Sequence, residues 1–340
     1  MSVLTAQLTE LTQGRDLPEA AVESAFDAIL SGEVGEAEIA GLLMGLAVKG
    51  ETAVELLGAA RALRAKAVTL KAPDAVDTCG TGGDGQNTLN ISTAAAIVAA
   101  AAGAKVAKHG NRAVSSRSGS SDVLSALGIV RDLPPARAQA CLDTLGITFL
   151  MAPVYHRAVA HVMPVRQALK VRTVFNLLGP LANPAGAGFQ LVGVYAERWL
   201  APMAQALQAL GTRRAWVVHG SDGLDEITVT GPTMVHMVSP DGIETRTVTP
   251  EQAGLTRWPS AELAGGTADD NAAALEALLA GANGAYRDAA LINAGAALMV
   301  CERAEDLSDG VAQAARAIDS GAAKELLGRW RRFCSEGRQP

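Results

Sequence analysis

The chain has 340 residues, 49% hydrophobic and 19% charged, enough to bury a sizeable core in two domains or one large one. A net charge of −6 gives no electrostatic support for nucleic-acid binding by the protein as a whole, and the longest apolar run, 93–102, is too short and alanine-rich to span a bilayer. Cys79, Cys141, Cys301 and Cys334 are far apart and form no CxxC, so they read as free thiols in a reducing compartment. The first residues carry acids early and lack an unbroken apolar stretch, which argues against a signal peptide and for the cytoplasm.

Residues 1 to about 70 contain no convincing strand. Leu4, Leu8 and Leu11, then Ala21, Ala25 and Ile29, then Ile39, Leu42, Leu43 and Leu46 follow helical spacing. Gly32 to Gly35 and Lys49-Gly50 punctuate them, which predicts four or five short helices in a separate bundle. Near Ala75 the pattern changes. Short β-type runs at Ala75–Cys79, Lys105–Lys108, Ile147–Met151, Phe189–Tyr195 and Ala215–His219 alternate with helical ones, the mark of a mainly parallel α/β domain. The Pro/Gly-rich stretch from Val171 to Gly188 reads as a crossover outside that sheet. Alanine-rich helices are expected at Asn271–Leu279, Ala285–Val300, Gly310–Asp319 and Ala322–Arg332. The domain expectation is therefore 1–72 helical, with 171–188 packing near it, and 73–340 α/β.

The most informative stretch runs from Asp77 to Asp122. Between Asp84 and Asp122 there is no acidic residue, whereas Lys105, Lys108, Arg112 and Arg117 all fall inside. Glycines at Gly80, Gly82, Gly83, Gly85, Gly110 and Gly119 let backbone amides approach a ligand, and a helix starting near Ser92 would aim its positive end at an anion. Lysine and arginine would neutralise what the amides cradle, so a ligand with several phosphates fits. Gly80-Thr81-Gly82-Gly83-Asp84-Gly85 satisfies GxGxxG formally, but a dinucleotide site needs a helix at the third glycine and an acid about 20 residues on. Here the helical pattern begins only at Ser92 and the downstream position offers Lys105. No Gly-Lys-Ser/Thr follows, so a Walker A loop fails too. A glycine-rich turn without ligand leaves the cations unexplained.

Asn90-Ile91-Ser92-Thr93 has the composition of a helix N-cap, and an inward hydroxyl there would also hold a phosphate or metal. Lys108-His109-Gly110-Asn111-Arg112 gathers two cations, an imidazole and an amide around one glycine. Asp222-Gly223-Leu224-Asp225-Glu226, after the strand Ala215–Val218, is either a solvated turn or a pair of carboxylates for Mg²⁺. Beside a polyphosphate site the second reading is preferred. His156 and His161 are five apart, the wrong spacing for one helical face, and read as packing or surface histidines. Arg166 and Arg172 are each able to meet a carboxylate, although arginines near a proline turn are more often structural.

In this order the blocks Gly80–Asp84, Asn90–Thr93, Lys108–Ser116, Gly119–Asp122, Arg172–Pro184 and Asp222–Glu226 resemble the anthranilate phosphoribosyltransferase family over nearly the whole chain. The resemblance implies transfer of phosphoribose from phosphoribosyl pyrophosphate to the amine of anthranilate in tryptophan biosynthesis, a small helical domain beside an α/β domain, and a homodimer through the helical part. It implies donor contacts from Gly80, Gly83, Asp84, Thr88, Asn90, Ile91, Ser92, Thr93, Lys108, His109, Gly110, Asn111, Arg112, Ala113, Val114, Ser115, Ser116 and Ser120. Anthranilate would meet Gly80, Asn111 and Arg166. Ser92, Asp225 and Glu226 would bind Mg²⁺, two ions per site, with Lys108, Asp225 and Glu226 as the catalytic set. Two departures are visible: His156-Arg157-Ala158-Val159 where the family shows His-Pro-Ala-Met, and Ser121 where it shows alanine. The rivals are a pyrimidine-nucleoside phosphorylase, which has no call for a magnesium clamp, and a non-enzymatic relative that binds nucleic acid.

Overall fold

The computed structural model describes residues 3–112 and 118–336. Four helices open the chain: α1 (Thr5–Thr12), α2 (Glu19–Leu30), α3 (Glu36–Lys49) and α4 (Ala53–Ala65). On α3 the predicted Ile39, Leu42, Leu43 and Leu46 are all buried, while on α2 Ala25 and Ile29 are buried as predicted, Ala21 is half-buried, and Val22 and Phe26 turn inward beside them. Helix α4 starts in a reciprocal cap. Glu55 N–H donates to Thr52 Oγ1 (3.3 Å) and Thr52 N–H to Glu55 Oε2 (2.8 Å). The same fully buried carboxylate accepts from Leu17 N–H (2.9 Å) and Lys49 Nζ (2.9 Å), so one charge fastens three segments.

The rest is an α/β domain, built in chain order from β1 (Val76–Asp77), α5 (Ile91–Ala101), β2 (Val106–Gly110), α6 (Ser120–Ala126), α7 (Pro135–Leu145), β3 (Ile147–Met151), α8 (Ala152–Tyr155), α9 (Met163–Leu169), α10 (Phe175–Leu181), β4 (Phe189–Gly193), α11 (Leu200–Ala209), β5 (Arg214–Gly220), β6 (Thr233–Ser239), β7 (Gly242–Val248), α12 (Ala268–Leu279), α13 (Ala285–Val300), α14 (Leu307–Asp319) and α15 (Ala322–Ser335). The strands form one sheet in the order β3-β2-β1-β4-β5-β6-β7. The first five pair in parallel, with Val76 opposite both Val106 and Phe189, while β6 and β7 add an antiparallel edge. The sheet is therefore mainly parallel, as expected, with a hairpin that sequence reading did not anticipate. Stretch 171–188 contributes no strand. It carries α10 instead, whose Phe175, Leu177, Leu178 and Leu181 are buried.

Two apolar cores flank the sheet. One joins α1–α4 to α10, α11 and the sheet face bearing Val192, Val194, Ala215 and Val217. The other packs α5, α13, α14 and α15 on the opposite face. Helix α5 is buried nearly all round, which explains why its sequence reads as an apolar run instead of an amphipathic stripe. Small residues let its neighbours close in. A carbon added to Gly295 on α13 would lie 2.7 Å from Val311 N on α14.

Candidate active site

Strand β1 sits at the point where the strand order reverses, with β2 and β3 to one side and β4 and β5 to the other. In such sheets a ligand crevice opens beyond the carboxyl end of that strand. The chain leaves β1 through Thr78 and Cys79 into the glycine loop, where Gly82, Gly83 and Gly85 hold φ of +64°, +76° and +78°. Side chains tolerate this left-handed region poorly, so the loop shape depends on those glycines. Gly80 is required for a different reason: a carbon there would meet Asp225 Oδ2 at 2.5 Å. Gly82 N–H donates to the same oxygen at 2.7 Å.

Helix α5 begins at Ile91, one residue before the expected start, and Asn90 does not cap it with its side chain. Asn90 is spent elsewhere. Its Nδ2 donates to Ser118 O (3.2 Å), its Oδ1 accepts from Asn271 Nδ2 (2.9 Å) and its carbonyl accepts from Tyr286 Oη (3.2 Å). Ile91 is buried in the core, so a ligand would meet only its backbone. Thr93 is buried too, with no hydrogen-bond partner for its hydroxyl among the described residues. Thr88 pairs with Ala264 in an isolated bridge that fixes the far end of the loop.

Asp225 and Glu226 face this loop from the segment after β5. Glu226 Oε1 accepts Ser92 N–H at 3.1 Å, at the start of α5. Burial, followed by neighbouring Asp84, raises Asp225 above the usual carboxylate range. Burial and the charge of Asp225 raise Glu226, against the pull of Lys108. Two acids crowded this way favour a cation, and the donor set of two carboxylates and the Ser92 hydroxyl is all oxygen, which fits Mg²⁺. Three devices fix the segment. Asp222 accepts from the hydroxyls of Thr228 (2.6 Å) and Thr230 (2.7 Å). Fully buried Asn293 on α13 accepts from Ile227 N–H (3.0 Å) and donates to Ile227 O (2.8 Å). Gly193 leaves room for the Asp225 backbone.

Lys108 is buried under the loop, its Nζ on the carbonyl (2.6 Å) and hydroxyl (3.3 Å) of Thr78, with no carboxylate in ion-pair range among the described residues. Its neighbour Asp77 accepts from His109 N–H (3.0 Å) and Asn183 Nδ2 (2.7 Å), and burial pushes that carboxyl up to about 6. Asp77, Cys79 and His109 offer ligand atoms within 4.8 Å of one another, but Asp77 is already committed on both oxygens.

On the other flank His109 Nδ1 meets Gly179 O at 2.9 Å, and its ring packs edge-on against His156 with centroids 5.2 Å apart. Burial, then the other imidazole, lowers His109 to about 3, and burial lowers His156 to about 4, so both rings are neutral at pH 7. His109 Nε2 and both nitrogens of His156 lack a hydrogen-bond partner among the described residues. His156, read from sequence as a packing or surface residue, is thus a buried polar group beside the site. Its partner lies 47 positions upstream, beyond any local spacing rule. Arg166 lies over the Phe175 ring at 5.3 Å and has no carboxylate partner among the described residues.

Gly83 and Asp84 belong to the glycine loop, with Asp84 beside Asp225, while Gly110 ends β2 before Asn111 and Arg112, and Ser120 opens α6 with its Cβ 3.5 Å from a carbon added to Gly110. Ser121 N–H donates to Asn111 O (3.3 Å), which ties α6 to that turn. Ala113, Val114, Ser115 and Ser116 lie outside the described residues. Of the two departures, Arg157 is exposed while His156 stays buried, and the Ser121 hydroxyl is buried against Met151 Sδ at 3.5 Å.

A family model described as the glycosyl transferase family, a/b domain, matches residues 72–324, and one described as its helical bundle domain matches 7–67. Anthranilate phosphoribosyltransferase of Beijerinckia indica subsp. indica is 52% identical over 321 residues, 94% of each chain. The chain belongs to the anthranilate phosphoribosyltransferase family. The enzyme of Afipia carboxidovorans is 51% identical over 328 residues, 96% of this chain and 97% of its own. The crystal structure of the Thermus thermophilus member superposes with a TM-score of 0.91 at 44% identity, covering 96% of this chain and 99% of that one. The Saccharomyces cerevisiae member in complex with PRPP and Mg gives 0.87 at 28% identity, covering 98% and 99%.

Proposed function

We propose that the chain transfers the phosphoribosyl group of phosphoribosyl pyrophosphate to the amine of anthranilate, giving N-(5-phosphoribosyl)anthranilate and pyrophosphate in tryptophan biosynthesis. The observation that carries this reading is a meeting of unlike parts at the end of β1. A glycine loop, the Asp225–Glu226 pair and Ser92 lie on one flank, and neutral His109 and His156 on the other. The yeast relative solved with PRPP and Mg and the one solved with 4-fluoroanthranilate support the same assignment.

In this reading Gly80, Gly83, Asp84, Thr88, Asn90, Ser92, Thr93 and Lys108, with the backbone of Ile91 and the 109–116 and 120 region, hold the donor. Asp225, Glu226 and Ser92 hold magnesium, two ions per site. Mg²⁺ would supply neutralisation of the charge that builds on the departing pyrophosphate. Lys108 adds a fixed positive charge beneath the glycine loop. Arg166, whose cation has no carboxylate partner among the described residues, takes the anthranilate carboxylate, and His109 and His156 flank its ring without placing a charge there. Asn111 and Gly80 complete the acceptor side. C1 of the ribose passes through an oxocarbenium-like state as the amine attacks, so catalysis rests on positioning and leaving-group neutralisation. The attacking amine grows acidic as the bond forms, and no general base is assigned. Residues 1–72 are taken as the helical domain and 73–340 as the α/β domain. Exposed Val3, Val48 and Val54 on the helical part support a homodimer through that part. A cytoplasmic setting agrees with free cysteines and with no described helix long and apolar enough to cross a membrane.

The test follows anthranilate fluorescence with phosphoribosyl pyrophosphate and Mg²⁺, with EDTA as control. Magnesium-dependent loss of signal with pyrophosphate release is expected. Absence of turnover together with absence of donor binding by calorimetry would overturn the reading in favour of a phosphorylase or nucleic-acid function.

A further inference from the structure

Arg172 has no part in the scheme above, yet it touches the loop at the centre of it. Its Nη2 donates to the Gly83 carbonyl, and its guanidinium lies over the Tyr195 ring at 4.4 Å. Tyr195 is itself bound to the loop, since its N–H donates to Thr81 Oγ1 at 3.0 Å, while Thr81 N–H donates to Gly193 O at 2.9 Å. The base of the glycine loop is therefore buttoned to the end of β4, and Arg172 reaches across from the start of the crossover to hold its crest. No carboxylate lies within ion-pair distance of Arg172 among the described residues. Its edge is engaged by a carbonyl and its face by an aromatic ring, a combination that a planar guanidinium offers and an ammonium does not.

The carbonyl is the important contact. A trans peptide is rigid and carries its C=O and the next N–H on opposite sides. Holding the Gly83 carbonyl toward Arg172 turns the Asp84 N–H away from the crossover. Gly82 and Gly83 both adopt positive φ, a region where glycine interconverts readily with its mirror conformation, so the loop alone does not fix that plane.

We infer that Arg172 is a positioning residue for the donor loop: by holding the Gly83 carbonyl, it sets the Gly83–Asp84 peptide in the orientation that presents its amide to a donor phosphate. The inference rests on the proposed donor site. It also links the two halves of the cleft, because the stretch that begins with Arg172 runs on to Phe175 and Gly179, under Arg166 and His109.

The experiment compares wild type, Arg172→Ala, Arg172→Lys and Tyr195→Leu in two readouts. Titration calorimetry gives the dissociation constant of phosphoribosyl pyrophosphate with Mg²⁺, and steady-state kinetics gives KM for each substrate with the other saturating. Arg172→Ala is expected to weaken donor binding and raise donor KM by about tenfold, the low end for a charged donor because the pair is exposed. Anthranilate KM should stay within about twofold of wild type, since the contacts of Arg172, Gly83 and Tyr195, are not among the residues given to the acceptor. Arg172→Lys should fall between, and Tyr195→Leu should weaken the donor by a smaller factor with its backbone tie to Thr81 intact. Unchanged donor affinity in Arg172→Ala, or a loss confined to anthranilate KM, would overturn the inference. A fall in kcat alone, with both KM values intact, would mark Arg172 as structural and also overturn it. Failure of the wild type to bind the donor would overturn the functional reading and this inference together.

Discussion

Replacing Gly193 by alanine puts the most direct strain on the proposed metal site without touching a ligand. A carbon on Gly193 would lie 1.5 Å from the Asp225 carbonyl oxygen, 2.3 Å from its carbon and 3.0 Å from its Cα. The obstruction is backbone and has no rotamer to escape into. To restore ordinary van der Waals contact the 222–226 segment must retreat by roughly 2 Å, and a 1 Å error in an active site costs on the order of 100-fold in rate. Overpacking of this kind also costs about 1–3 kcal/mol in stability. Gly193 O holds Thr81 N–H as well, so the glycine loop shifts with the carboxylates. Turnover titrated with Mg²⁺ at saturating substrates, alongside calorimetric unfolding, gives both effects. Half-saturation by Mg²⁺ is expected to rise at least about tenfold and kcat to fall by about 100-fold, with the fold retained. Gly328→Ala on α15 is the control. Its added carbon meets only Arg332 Nη1 at 3.8 Å, so a wild-type titration and a gain of up to about 1 kcal/mol from helix propensity are expected. A wild-type Mg²⁺ titration in Gly193→Ala would refute the claim that the end of β4 dictates where Asp225 stands.

Three further outcomes can be read from the same geometry. Arg166→Ala removes a cation that has no carboxylate partner among the described residues and should raise anthranilate KM by roughly 30-fold while donor KM stays put; equal anthranilate affinity would remove Arg166 from the acceptor site. Asn293→Leu leaves Ile227 N–H and C=O unpaired in the core, which should cost about 2–4 kcal/mol and weaken Mg²⁺ binding; lost stability with unaltered Mg²⁺ affinity would mean that the clamp serves the core alone. The pH dependence follows from Asp225 and Glu226, whose raised pKa in the fold adds stability that is full below the unfolded carboxylate value of about 4 and is lost progressively as pH rises to the folded value. His109 and His156, lowered in the fold, act oppositely but only below the unfolded histidine value of about 6.5. Metal-free protein should therefore lose thermal stability between about pH 6.5, where the histidine offset ends, and the raised folded value of about 8, and level off above it, and Mg²⁺ should suppress the loss; parallel curves with and without metal would contradict the assignment.

Much of this architecture was legible because it is written locally. Strand β3 and helix α13 begin and end where their patterns predict, and the glycine loop and the Asn90 block each donate a backbone N–H to the Asp222–Glu226 turn. Strands β6 and β7 went unread although Ser239-Pro240-Asp241-Gly242 between alternating runs is a hairpin signal. At an exposed edge, β7 presents mostly solvated residues and gives no buried stripe to notice. Asn90 looked like a cap because Asn favours that position, and tertiary partners on α12 and α13 claimed its polar groups instead. His156 packs as it was read, but its pairing with His109 and the Asn293–Ile227 clamp went unread for a common reason. Each acts through a residue tens of positions away, and only the folded chain brings the two together.

Strand β1 is two residues long, whereas β2 and β4 on either side have five each. Regular pairing therefore stops early, yet the chain does not leave the sheet at once, because Thr78 to Gly80 run on beside β4 until Thr81 N–H reaches Gly193 O at 2.9 Å. Lys108 finishes the truncation, because its ammonium sits on the Thr78 carbonyl and takes the place that a neighbouring strand's amide would occupy in an unbroken ladder. The glycine loop is thus launched from inside the sheet, held on one side by the Lys108 ammonium and on the other by the last residue of β4, and its starting point is set by where regular pairing stops.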